Sequence, residues 1–255
     1  MATEARDTDK DWERIASEEP YWGVLSDDDY RGKAIGPDAM ARFKATGEEF
    51  VANVFALVEK HLQKGFKPTR ALDVGCGVGR LLIPIAKRVR EAVGVDVAPT
   101  MLKLCEKNAA GAGISNIRTF VGDDDLTRVD GLFGFVNSYI VLQHVPPLRG
   151  YQLIQAMLDR LAIGGIGSIQ MTYAKERKFL VHEAPKASLY RREGGMIVDL
   201  LSTVAKPPEG TISMFDYDLN EVVARVARVC GHPLITLPTN NEGHIGVHLI
   251  FKKAR

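Results

Sequence analysis

Residues 72–82 read "LDVGCGVGRLL", with three glycines at every second position directly behind a short apolar run. Ala71, Leu72 and Val74 close a buried strand, while Leu81, Leu82, Ile83 and Ile85 open a helical apolar pattern. Gly75, Gly77 and Gly79 therefore occupy a strand-to-helix turn. Glycine in such a turn permits positive φ and close approach of the backbone to a ligand, and the following helix presents free N–H groups. A dinucleotide fingerprint would need its third glycine at position 80, which is Arg80, and no Gly-Lys-Ser/Thr follows as a P-loop requires. The spacing is GxGxG. The second anchor is Asp96, seventeen residues past Gly79 at the end of "AVGVDV", where a carboxylate can accept from both ribose hydroxyls of an adenosine.

Strand and helix patterns alternate from this turn onward. "TRALDVG" reads as a strand, "RLLIPIAKRV" as a helix, "EAVGVDV" as a strand, "APTMLKLCEKNAAGAG" as a helix with Pro99 at its start, and "IRTFVGD" as a strand. "LFGFVNSYI" (132–140), the helix "YQLIQAMLDRLA" and the strand "GIGSIQMTYA" (165–174) continue the series. Such βαβα alternation predicts an α/β fold: a doubly wound, mostly parallel sheet covered on both faces. Upstream, the polar, acidic start is expected to be mobile, and "AMARFKATGEEFVANVFALVEKHLQ" (39–63) reads as one or two helices. Residues 1–66 are accordingly expected to form an N-terminal helical cap and 67–255 the core. The alternation breaks over about 175–213, an insertion after strand five. It resumes with the helix "YDLNEVVARVARVCG" and two strands, "PLITLPT" and "GHIGVHLIFKK", close enough to pair antiparallel, which makes seven strands.

With 255 residues, 45% of them hydrophobic, the chain can build one sizeable core. Lys+Arg number 33 against 32 Asp+Glu, so no global field draws a polyanion, and no nucleic-acid partner is expected. The three cysteines are far apart and lack CxxC spacing, which fits reduced thiols rather than disulfides or a zinc site. "MATEARDTDKDWER" lacks the basic and apolar regions of a signal peptide, and no apolar run approaches the ~20 residues that span a bilayer. A soluble, cytoplasmic protein is the expectation.

Taken in order, "ALDVGCGVGRLL", "VGVDVAPTML", "VGDDDL" and "VNSYIVLQHVPP" resemble the successive motifs of class I S-adenosylmethionine-dependent methyltransferases, over about residues 68–173. The resemblance implies a seven-stranded sheet with the last strand antiparallel and S-adenosylmethionine across the C-terminal edge of the strands. It implies that Asp73, Gly75, Gly77 and Gly79 cradle the methionine part and Asp96 the ribose. Val97 would flank the adenine, Asp123 or Asp124 would accept from its amino group, and the Ser138 carbonyl would face the methionine amino group. Where many relatives carry an acidic residue in strand four, this chain reads Phe133-Gly134-Phe135-Val136.

Methyl transfer from a sulfonium is an in-line displacement that needs chiefly alignment and exclusion of water. A hydroxyl acceptor must also lose a proton, and His144 in "LQHVPP" is the candidate general base, since an imidazole with a pKa of about 6.5 suits that task near neutrality. Tyr21, Trp22, Tyr139, Tyr173 and His182 are the candidate acceptor contacts. The [ND]PP[YF] motif of base aminomethylation is replaced by Asn137-Ser138-Tyr139-Ile140, and the strand-five end, Met171-Thr172-Tyr173, offers no ligands for a catechol-type Mg²⁺ site, so no metal is expected. The pattern looks most like bacterial small-molecule and glycan O-methyltransferases, with a sugar hydroxyl as first acceptor. The alternatives are N-methylation of a small amine and a catalytically silent cofactor-binding subunit.

Overall fold

The computed structural model describes residues 8–176, 190–193, 196–199 and 214–255. Its centre is a sheet of seven strands: β1 (Arg70–Val74), β2 (Glu91–Asp96), β3 (Ile117–Val121), β4 (Phe133–Ser138), β5 (Leu161–Lys175), β8 (Cys230–Asn241) and β9 (His244–Lys253). The spatial order is β3-β2-β1-β4-β5-β9-β8. β1 to β5 pair in parallel, and β9 runs antiparallel between β5 and β8. This is the expected doubly wound sheet with one antiparallel strand. A separate hairpin joins β6 (Tyr190–Glu193) to β7 (Met196–Asp199).

Alternation along β1 shows why both faces must be covered. Leu72 and Val74 enter one apolar cluster with α6 (Pro147–Arg160) and α7 (Leu219–Val229), whereas Ala71 enters another with α3 (Pro37–His61), α4 (Leu82–Ala86) and α5 (Pro99–Gly111). α3, α5 and α6 each begin with proline, which loses nothing at a position without an intrahelical N–H partner. Val51, Val54 and Val58 of α3 share their cluster with Ala71 and Leu82, so this helix lies on one face of the sheet. The acidic start is ordered from Thr8: α1 (Thr8–Glu18) and α2 (Pro20–Val24) pack Ala16 and Tyr21 against Phe43, Val78, Ala98 and Met101. The expectation of a mobile start is thereby corrected for these residues.

β1 meets β2 on one side and β4 on the other, so the order reverses beside its C-terminal end, at the place where open α/β sheets form a ligand crevice. The chain leaves the sheet after β5 and returns beside it. Phe215 N–H donates to Gln143 O at 2.7 Å, Thr172 Oγ1 donates to Phe215 O at 2.7 Å, and Tyr217 N–H donates to Thr172 O at 2.8 Å. His182 and most of the expected insertion lie outside the described residues.

Candidate functional site

The crevice at the switch point is an open cleft lined by the ends of β1 and β2, by the residues that follow β4 and by α1. Its floor is the glycine turn. Gly75, Gly77 and Gly79 have φ of 75°, 52° and 91°, all in the left-handed region that glycine enters without strain. The turn is tied to β2: Gly75 and Cys76 N–H both donate to Val95 O, at 2.7 and 3.0 Å. Asp96 completes the tie, accepting from Gly77 N–H on Oδ2 at 2.8 Å and from Ala98 N–H on Oδ1 at 2.9 Å. Burial carries the Asp96 carboxyl up to about 6 even though both amides favour its ionised form.

Beside the turn, a row of buried polar side chains crosses four strands. His248 Nε2 lies 2.8 Å from Ser168 Oγ, Ser168 Oγ donates to Asn137 Oδ1 at 2.8 Å, and Asn137 Nδ2 donates to Asp73 Oδ1 at 2.8 Å. Every member is at most 3% exposed. Burial raises the Asp73 carboxyl to about 7, opposed by the Asn137 bond and the Arg80 charge, and burial lowers His248 to about 4, so the imidazole at the far end is neutral. At the end of β4 the backbone is strained: Ile140, a β-branched residue, has φ of 60°, its N–H held by Gln170 Oε1 at 3.0 Å.

α1 closes over this arrangement. Thr8, Asp9 and Trp12 line the cleft, and the Trp12 ring meets His144 edge-on with centroids 4.9 Å apart. Arg149 joins α1 to the opposite wall, donating to Asp9 Oδ1 and Oδ2 at 2.9 Å each and to Asp124 at 2.7 and 2.9 Å. Glu13 receives Thr100 Oγ1 at 2.6 Å and Thr100 N–H at 3.1 Å at the start of α5.

Of the residues singled out in the sequence, Asp73, Gly75, Gly77, Asp96, Val97, Asp123, Asp124, Tyr139 and His144 line this one cleft. Gly79 does not; a Cβ there would lie 2.9 Å from Cys105 Sγ and 3.1 Å from Ile83 Cδ1, so its place is in helix packing. Ser138 is fully buried one residue behind the lining Tyr139. Tyr21 is packed edge-on against Phe43 and bonds Asn108, Trp22 stacks under the Arg31 guanidinium at 4.0 Å, and Tyr173 packs on the core beneath the sheet. None of these three lines the cleft. The aromatic wall is Trp12 instead, four residues into a helix whose Trp12, Ile15 and Ala16 spacing was the available signal.

Asp123 folds its carboxylate into its own loop, accepting from Asp125 and Thr127 N–H at 3.1 and 3.0 Å and from the Thr127 hydroxyl, and these bonds hold it below the usual carboxylate range. His144 is 9% exposed and receives the Gln143 amide 3.2 Å from Nε2. Among the described residues no three His, Cys, Asp or Glu side chains converge as metal ligands, and no helix is long and apolar enough to cross a membrane.

Comparison with known proteins agrees with this geometry. Residues 71–165 match the family model described as a methyltransferase domain. A 2-heptyl-1-hydroxyquinolin-4(1H)-one methyltransferase of Mycobacteroides abscessus is 32% identical over 117 residues, 46% of this chain and 51% of that protein. A 23S rRNA (uracil(1939)-C(5))-methyltransferase of Burkholderia cenocepacia is 26% identical over 166 residues, 58% of this chain and 33% of the relative. The chain thus spans about half of the length of the first of these curated relatives and about a third of the second. Among solved structures, magnesium protoporphyrin IX methyltransferase from Synechocystis with bound S-adenosylmethionine superposes with a TM-score of 0.61 at 15% identity, covering 98% of this chain and 99% of the other. The N-methyltransferase NodS from Bradyrhizobium japonicum gives 0.59 at 13% identity, covering 98% and 100%. The glycine turn, the β2 aspartate and the strand order agree with that match, so residues 71–165 carry the likeness to a methyltransferase domain on a fold shared with these solved methyltransferase structures.

Proposed function

We propose that the chain transfers a methyl group from S-adenosylmethionine to a hydroxyl of a small molecule, with a saccharide hydroxyl as first candidate. The residues fit the donor: Asp96, held by two backbone amides at the edge of the cleft, retains lone pairs for ribose hydroxyls. Gly75 and Gly77 line the cleft so close to Val141 and Val24 that a Cβ would lie 2.3 Å and 2.8 Å from those side chains, which only glycine allows. Val97 lies beside Asp96, and Asp123 and Asp124 line the cleft as the candidates for the adenine amino group. When bound, the donor supplies a methyl carbon already activated by a sulfonium.

The observation that carries the hydroxyl reading is His144, buried in the wall of the same cleft as Asp96 and fixed by the Trp12 edge. Its Nε2 can accept one hydrogen bond, now directed at it by the Gln143 amide. An acceptor hydroxyl would take that place and pass its proton to Nε2 as the C–O bond forms. A planar hydroxylated heteroaromatic is the second acceptor class, supported by the name of the Mycobacteroides relative and by the Trp12 and Tyr139 surfaces in the cleft. N-methylation of a small amine would need no such base, and a silent cofactor-binding subunit would bind without transfer.

The test is His144→Asn, assayed with labelled S-adenosylmethionine against saccharides, hydroxyquinolines and small amines. A general base predicts near-parental S-adenosylhomocysteine affinity, a kcat lower by ~10²- to 10⁴-fold, and loss of the parent's acidic limb. Retention of more than about a tenth of parental kcat would remove His144 from proton transfer.

A further inference from the structure

Gln143 stands beside the candidate base on the one-turn helix Leu142–His144 that follows β4, and only 4% of its surface is exposed. Unlike His144, it does not line the cleft. Its main chain is tied to the returning segment, since Gln143 O accepts from Phe215 N–H at 2.7 Å. Its side-chain Nε2 lies 3.2 Å from His144 Nε2 and 3.8 Å from Met214 Sδ. Among the described residues its Oε1 is buried with no hydrogen-bond partner.

What these neighbours can accept decides the orientation of the amide. An amide nitrogen only donates, a thioether sulfur accepts weakly, and an imidazole nitrogen accepts only where it carries no proton. Turned the other way, the amide would place both N–H bonds where Oε1 now meets nothing and its oxygen against the Met214 sulfur. The observed contact therefore requires a bare Nε2, which in a neutral ring puts the proton on Nδ1. A base must be bare at the nitrogen that takes the proton. The unfilled Oε1 is the second observation, because buried carbonyls are normally paired and a half-turn about Cγ–Cδ, a torsion with two broad wells, would bring it to Nε2. Resting on His144 as the base, we propose that Gln143 is its positioning residue: the amide N–H keeps the lone pair on Nε2 until an acceptor hydroxyl displaces it, and the turned amide then offers Oε1 to the Nε2–H that transfer leaves. The hydroxyl oxygen bonds the methyl carbon as the carbon–sulfur bond breaks, and its proton goes to Nε2. The ring, already protonated on Nδ1, becomes an imidazolium, and loss of the Nε2 proton to water restores it.

Nitrogen NMR of the free protein with labelled histidine tests this without an acceptor. The His144 signals are those among the six histidines that vanish in His144→Asn. At a pH about two units above the ordinary imidazole value of about 6.5, the parent should show Nε2 bare and Nδ1 protonated. Gln143→Met keeps the bulk without the donors and should shift Nε2 to the averaged position of a ring in both tautomers. Gln143→Glu, whose carboxylate only accepts, should reverse the preference and protonate Nε2. S-adenosylhomocysteine affinity within about 3-fold of the parent marks the variants as folded, and the parent spectrum tests the tautomer even without them. A proton on Nε2 in the parent, or one spectrum shared by all three proteins, would overturn the proposal. A bare Nε2 under Gln143's control, combined with full kcat in His144→Asn, would refute the base and this role with it.

Discussion

At Asp96 two main-chain donors meet a carboxylate that lines the cleft. Asp96→Ala removes the tether on Gly77 N–H and, on the proposed function, the acceptor for the ribose hydroxyls, so S-adenosylhomocysteine affinity is expected to fall by about 1.5–3 kcal/mol when folded variant and parent are compared by calorimetry. The raised carboxyls set a pH dependence. Asp96 at about 6 and Asp73 at about 7 are partly protonated near neutrality, so a ligand that pairs with their ionised forms binds most tightly above pH 7 and weakens as pH falls through 7 and 6. Stability of the free protein moves the other way. The unfolded chain releases these protons near 3.8 and the folded chain keeps them to about 6 and 7, so their contribution declines as pH rises across that window. Affinity measured from pH 5 to 8.5 checks this; a flat profile would show that neither carboxyl titrates on binding. Asp96 and the turn were legible in the sequence because their conformational and charge requirements are local. Trp12 was not, since its part in the cleft depends on what folds against it. Tyr21 and Trp22 pack on Phe43 and Arg31, outside the lining of the cleft.

At the level of elements, α1 is a short amphipathic helix that would be marginal alone and is held by side-chain anchors at both walls of the cleft. Arg149 is central, and the Asp9 and Asp124 carboxylates hold its charge above the usual arginine range. These groups remain 22–41% exposed, so each pair contributes at most about 1 kcal/mol after solvent screening. Arg149→Met should therefore lower Tm by only about 2–4 °C while releasing α1: amide protection over residues 9–18 should drop and S-adenosylhomocysteine should dissociate several-fold faster. Asp9→Asn, which leaves Asp124 paired, should reproduce the loss of protection. Unchanged exchange in α1 in both variants would show that Trp12 and Glu13 suffice to hold it. The periods of the strands and longer helices announced those elements, because apolar residues recur at 2 or 3.6 in each. The sequence of α1 reads as a mobile start because its polar face dominates its composition, and only Thr8, Ile15 and Ala16 are buried.

Across the whole molecule the sheet divides the work. β3, β2 and β1 carry the turn and Asp96 on one side of the switch point, whereas β4, β5 and the returning segment frame His144 on the other. The excursion between Glu176 and Met214 leaves and rejoins the fold at neighbouring points. Thr172 bonds Phe215 and Tyr217, Lys175 lies 3.6 Å from Asp216, and Phe215 N–H reaches Gln143 O beside His144. Closing the ends with a short Gly/Ser linker adds little loop entropy, and Tyr217, fully buried and bonded to Leu142 and Val145 carbonyls, keeps the return anchored. We expect replacement of residues 180–205 to leave S-adenosylhomocysteine affinity within about 3-fold of the parent and the unfolding transition cooperative, because β8 and β9 still pair with β5. Transfer to the acceptor should fall by about tenfold or more in kcat/KM if this segment, whose return meets Gln143 next to His144, contributes to acceptor binding. If transfer survives unchanged, the acceptor is recognised by the cleft walls alone, and Tyr139 and Trp12 become the residues to vary next.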